Sequence, residues 1–253
     1  MRFFEIFFSP AGGTRKAADI LSSKLAEEAA VIDLADKEAD FASIALSPED
    51  VCLIAMPSYG GRVPAVAAER LSAIRGNGAK AVLVVVYGNR AYEDTLVELQ
   101  DLAAAAGFVP AAAVAAVAEH SIVRQFAAGR PDADDIRELQ QFAEVIAGRL
   151  QDSAPAQLQL TGNRPYKTYG GSSLRPETAE TCASCGLCAK HCPVGAIPAD
   201  EPSRTDSEKC IACMGCISVC PVHARSISEA SLSAVAERLT PVCSSRKSNE
   251  LFL

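Results

Sequence analysis

Eight of the chain's ten cysteines fall into two runs of identical spacing. Cys182, Cys185, Cys188 and Cys192 read C-x2-C-x2-C-x3-C and are followed by Pro193. Cys210, Cys213, Cys216 and Cys220 repeat the pattern and are followed by Pro221. Thiolates at these offsets suit a 4Fe–4S cube: three wrap one cluster on a tight loop, and the fourth, a turn further on, reaches the other cluster. Crossed ligation is therefore expected, with Cys182, Cys185, Cys188 and Cys220 on cluster I and Cys210, Cys213, Cys216 and Cys192 on cluster II. A zinc site prefers two C-x2-4-C pairs and four ligands in all, and a disulfide framework needs a secreted context that nothing in the sequence supplies. The runs also form an internal repeat. Each ligand has its counterpart 28 residues on, Val194 matches Val222 and Ala196 matches Ala224.

The remainder is too long for a bare cluster module. At 253 residues, 49% hydrophobic, the chain suits one ordinary domain plus a small one that needs inorganic staples. Met1 to Phe8 is apolar but short, and it runs into a glycine-rich loop without the h-region and cleavage site of a signal peptide. No stretch reaches the roughly 18 apolar residues of a membrane span, so a cytoplasmic protein is expected. The net charge of −7 argues against a nucleic-acid partner. Two clusters near −2 each and a bound phosphate group near −2 would take the loaded protein to roughly −13. A redox partner protein with a basic docking patch is the expected complement.

Before the cysteines, strand-like and helix-like segments alternate. Strands are expected at Phe3 to Phe8, Ala30 to Leu34, Val51 to Met56, Ala81 to Tyr87 and Val109 to Ala118. Helical spacing follows at Thr14 to Glu28, at Val63, Val66, Leu71 and Ile74, at Tyr92, Leu96, Leu99 and Ala103, and from Ile136 to Leu150. Five strands alternating with helices predict an α/β fold, a doubly wound parallel five-stranded sheet over residues 1–150. Ligands in such sheets bind beyond the carboxyl ends of the strands, near the point where strand order reverses.

Three loops at that edge stand out. The first, Ser9, Pro10, Ala11, Gly12, Gly13 and Thr14, offers backbone amides at a helix start with hydroxyls at both ends, which suits a phosphate. It resembles the flavodoxin loop T/S-x-T-G-x-T that holds the FMN phosphate, with Ala11 replacing the middle Thr. The second, Pro57, Ser58, Tyr59, Gly60, Gly61 and Arg62, lets backbone approach a flat ring while a tyrosine stacks on it and Arg62 balances charge at the reduced flavin. The third, Gly88, Asn89, Arg90 and Tyr92, repeats that chemistry. His120, after the fifth strand, is a further candidate to hydrogen-bond the ring, whereas His191 and His223 read as packing neighbours of the clusters. Cys52 reads as a small buried hydrophobe, and Cys243, in a polar tail, as an incidental exposed thiol.

Residues 151–176, rich in Gln, Gly, Ser and Pro, read as a linker that Tyr166 and Tyr169 pin across the first domain. The cluster domain spans 177–230. A closing helix is expected at Ser228 to Leu239, running into a C-terminal helix and tail at 231–253 that is mobile after Pro241. Together, the flavodoxin-type loop, Gly-Gly-Arg-Val-Pro after strand three and the two C-x2-C-x2-C-x3-C-P runs resemble the flavodoxin–ferredoxin fusion proteins of anaerobes. That resemblance implies a flavodoxin-like FMN-binding domain followed by a small α+β bacterial-type ferredoxin domain with two 4Fe–4S clusters, acting in electron transfer. Two other readings accompany it: an oxidoreductase that reduces a small substrate at FMN, with His120, Tyr59 or Tyr92 as proton donors, and a sensor whose flavin loop stays empty because of Ala11.

Overall fold

The computed structural model describes residues 2–152 and 157–253; the part of the predicted linker at 153–156 lies outside them. β1 (Phe3–Phe7), α1 (Gly13–Leu25), β2 (Ala30–Asp33), β3 (Val51–Pro57), α2 (Ala65–Ala73), β4 (Lys80–Tyr87), α3 (Thr95–Ala105), β5 (Val109–Val117) and α4 (Ala133–Arg149) alternate as the periodicity predicts. The five strands pair in parallel in the order β2-β1-β3-β4-β5. That is the flavodoxin-like order, with its switch point between β1 and β3. β3 and β4 are continuous apolar runs because both of their faces are covered. One face packs Leu71, Leu96 and Leu99 of α2 and α3, the other Leu21 of α1 and Leu139 and Ile146 of α4.

The second half is built from β6 (Glu177–Thr178), α5 (Leu187–His191), α6 (Gly215–Ser218), β7 (Arg225–Ser226), α7 (Glu229–Cys243) and β8 (Glu250–Phe252). β6 and β7 pair antiparallel, closing a small unit around the eight cysteines. Among the described residues no helix is long and apolar enough to cross a membrane.

The C-terminus departs from expectation. The chain after Pro241 carries regular structure: α7 continues to Cys243, and β8 adds a sixth, antiparallel strand against β5, pairing Leu251 with Val114. Several groups on the way have specific partners. Asn89 Nδ2 donates to the carbonyls of Cys243 at 2.7 Å and Ser245 at 2.8 Å, and Arg246 pairs with Asp132 at 2.6 Å. Buried Asn249 accepts from the Val117 amide at 2.8 Å. Cys243 is accordingly buried against Val123 and Phe126 rather than exposed.

Candidate cofactor sites

The switch point opens into a cavity of about 480 Å³ lined by residues from both halves. Its floor is the loop between β1 and α1. Gly12 takes φ +90°, a left-handed cap that favours glycine, and Ser9 Oγ accepts from the Arg15 amide at 2.9 Å. The Ser9 carbonyl takes the Gly12 amide at 3.1 Å. The amides of Ala11, Gly13 and Thr14 find no protein acceptor among the described residues, so three donors stand at the positive end of α1. This cradle fits a phosphate even without the hydroxyl that Ala11 lacks.

The walls come from the loops after β3 and β4. Gly60 lies so close beneath the Tyr169 ring that a Cβ there would overlap it. At Gly88 a Cβ would stand 2.6 Å from His120. Both glycines thus admit an aromatic ring at the cavity, as a planar cofactor site requires. Desolvation raises the Tyr59 hydroxyl well above its ordinary value, with smaller contributions from Cys213 and Tyr169. His120 Nδ1 accepts from the amides of Ile122 at 3.2 Å and Val123 at 3.1 Å. Desolvation, helped by the Arg90 charge, holds this histidine down at about 4. It is therefore a neutral ring carrying its proton on Nε2.

Residues 9–14 and 57–60, Gly88 and Arg90 all line the cavity. Gly61, Asn89 and Tyr92 do not. Asn89 is committed to the C-terminal segment, accepting from the Lys247 amide at 3.2 Å as well as donating. The Tyr92 hydroxyl donates to Glu250 at 3.1 Å, and its ring stacks edge-on against Tyr87 ahead of α3 rather than within it. Arg62 is turned away as well: Glu98 grips it at 2.7 and 2.8 Å, it donates to the Lys167 carbonyl and it covers the Tyr166 ring at 4.9 Å. A bidentate carboxylate pair outcompetes a solvent-facing role for this guanidinium.

The second cysteine run adds Ile211, Ala212, Met214, Ile217 and Ser218 to the wall, with Tyr169 and Ser172 from the linker. Sequence reasoning missed these five, yet the repeat carries a signal for three of them. The first run has Ala183, Gly186 and Ala189 where the second has Ile211, Met214 and Ile217, so only the second presents bulky apolar side chains.

The two cysteine runs share one backbone course. Left-handed residues recur 28 apart: Ser184 (φ 51°) with Ala212 (φ 53°), Gly186 (φ 74°) with Met214 (φ 62°), and Gly195 (φ 62°) with His223 (φ 51°). Non-glycine residues hold such angles only where their surroundings over-determine them, as loops wrapped around a bound group do. Cys192 Sγ accepts from the Ala196 amide and Cys220 Sγ from the Ala224 amide, both at 3.2 Å. Burial pushes Cys213 up to about 12, with neighbouring Cys216, Cys192 and Cys210 adding to the shift. Burial likewise pushes Cys216 up to about 11, opposed by the Arg225 guanidinium and reinforced by Cys210, Cys192 and Cys188. Thiols gathered this tightly ionise readily only against a cationic core. Burial also opposes ionisation at Cys220, but the amides of Ala224, Val222 and Arg225 outweigh it and hold that thiol below its ordinary range. Among the described residues no three His, Cys, Asp or Glu side chains converge as the ligands of one ion would. Cys52 is buried in β3, and burial raises it to about 12.

Residues 177–221 match the 4Fe-4S dicluster domain family. No curated protein sequence matches the chain. Among solved structures, the first half is similar to the Streptococcus pneumonia TIGR4 flavodoxin, with 21% identity over 59% of this chain and 99% of that one, TM-score 0.44. It is also similar to a flavodoxin from the domain Archaea (12% identity, 60% and 100% covered, TM-score 0.43) and to flavodoxin 2 from Bacillus cereus (15%, 59% and 99%, TM-score 0.40). The fold assignment rests on the strand order itself.

Proposed function

We infer that this chain, a flavodoxin-like sheet joined to a 4Fe–4S dicluster segment as in the flavodoxin–ferredoxin fusions it resembles, is an electron-transfer protein carrying two clusters and one FMN. One observation carries the reading: the loop holding Cys213 and Cys216 forms a wall of the cavity that the phosphate cradle and the glycine–aromatic loops define. Cluster II would then adjoin the flavin, and cluster I, whose Cys185 is exposed, would face a partner. Bound FMN would supply one- or two-electron chemistry beside one-electron clusters. Residues 9–14 would hold its phosphate, and Tyr59, Tyr169, Gly60 and Gly88 would bound its ring. Cys192 shares one apolar cluster with Cys210 and Cys216, as crossed ligation needs, and Cys188 of the other set borders it.

The second reading, reduction of a small substrate at the flavin, asks His120, Tyr59 or Tyr92 for a proton. Burial holds His120 neutral and the Tyr92 hydroxyl is bonded to Glu250 outside the cavity, which leaves Tyr59 as the donor that reading needs. With a net charge of −7 before cofactors, the partner's docking face should be basic.

Anaerobic purification followed by iron, sulfide and flavin analysis tests the assignment. About eight irons and one FMN per chain are expected. Eight irons with no flavin, even after added FMN, would reduce the first half to a docking scaffold. Cys192→Ala should then cost cluster II, although Cys192 lies in the first run; loss of cluster I would overturn crossed ligation.

A further inference from the structure

The second cluster loop ends in a buried cation that no acidic side chain meets. Arg225, 3% exposed, opens β7. Its Nη1 donates to Thr205 Oγ1 at 2.9 Å, and its Nη2 to the carbonyls of Pro202 and, at 3.4 Å, Arg204. Its Nε has no acceptor. Among the described residues no carboxylate forms an ion pair with it, whereas the other buried arginine, Arg130, is paired with Asp135. An uncompensated buried charge is costly, so such a group requires an anion nearby.

The repeat shows that packing does not demand a cation here. Twenty-eight residues earlier the same position is Ile197, 4% exposed. Arg225 instead stands beside prospective thiolates. The Pro202 carbonyl it binds is also the contact of Cys188 Sγ, at 3.6 Å. In the crossed scheme Cys188 serves cluster I, as does Cys220, whose Sγ accepts from the amide of Ala224 next to Arg225, so the cation stands beside that cluster.

We propose that Arg225 is the internal counter-cation of the iron–sulfur pair, a fixed positive charge that raises the reduction potential of the cluster it faces most closely. Each reduction adds one negative charge to a cluster already near −2, so a fixed cation favours the reduced form more than the oxidised one. The inference rests on the cluster reading above, and iron analysis separates the two failures: a wild-type chain without iron sinks both.

Three variants of the full, anaerobically loaded chain test it, each analysed for iron and titrated with reductant while the reduced clusters are followed by EPR. Arg225→Lys keeps charge, Arg225→Gln keeps hydrogen bonding without charge, and Arg225→Ile installs the residue of the other half-repeat. Lys is expected to track wild type. Gln and Ile should track each other, with at least one midpoint lowered by about 59 mV, a tenfold change in a one-electron equilibrium. Retention of iron by Lys together with its loss from both Gln and Ile would support the same conclusion. Midpoints within about 18 mV of wild type in Gln and Ile, a twofold change in the equilibrium, or equal loss of iron from all three variants, would overturn it.

Discussion

Glu5 is 2% exposed on β1, where it accepts from the Ser22 hydroxyl of α1 with one carboxylate oxygen and leaves Oε1 without a partner. Burial raises it to about 7, the Ser22 bond pulling it back and Asp19 pushing it further up. Since the folded value lies above the unfolded one, the carboxyl begins to penalise folding as pH rises past its ordinary value near 4.5, and the penalty is complete above about 7. Glu5→Gln keeps an amide against Ser22 and removes the charge. Between pH 6 and 8.5 its stability advantage over wild type should widen by about 1 kcal/mol, or roughly 2–4 °C in apparent melting midpoint. A constant gap across that range would mean that Glu5 does not titrate there. At this scale legibility tracks locality. The eight cluster cysteines declare themselves through offsets within one short segment. Glu5, Cys243 and Arg225 take their character from partners far away in the chain, and neither composition nor spacing carries that.

Among elements, β1 to β5 and α1 to α4 were legible because each carries its own period or its own unbroken apolar run. β8 was not. Glu250, Leu251 and Phe252 make a three-residue strand with no pattern of its own, created by the free edge of β5. What anchors it is Asn249, whose Nδ2 donates to Glu138 at 2.6 Å and Asp135 at 3.1 Å while its oxygen takes the Val117 amide. Asn249→Ala would leave that amide and two carboxylates short of a partner, a loss of roughly 2–3 kcal/mol. The expected signature is faster hydrogen exchange at Val117 together with early proteolysis beyond Ser245. Unchanged exchange at Val117 would show that strand pairing alone holds the tail. Releasing it would also bare the β5 edge, which is otherwise open to pairing with another chain.

At the scale of the molecule, the sequence showed two parts and a linker but not how they meet. The polar contacts between residues 1–150 and the cysteine-bearing segment 177–230 run from a side chain of one to a main-chain carbonyl of the other, and carbonyls leave no residue-type signature. Lys37 donates to Ala189 O at 3.1 Å, Arg70 to Pro193 O at 2.7 Å and His191 Nε2 to Pro10 O at 2.6 Å. Ser218 Oγ reaches the same Pro10 carbonyl at 3.3 Å, and a Cβ on Gly215 would touch it. His191 therefore does more than pack beside the clusters: it fixes the carbonyl next to the amides that would face the flavin phosphate. If the cluster half holds this loop in its binding form, His191→Ala should weaken FMN binding about five- to tenfold, the worth of one hydrogen bond. Riboflavin, which shares the ring and lacks the phosphate, should bind the variant as it binds wild type, and His191→Gln should recover most of the FMN affinity. Iron content measured on the same samples separates this effect from loss of cluster II. An equal fall in riboflavin affinity would place the influence of His191 on the ring pocket instead, and no change in either would leave the two halves merely adjacent.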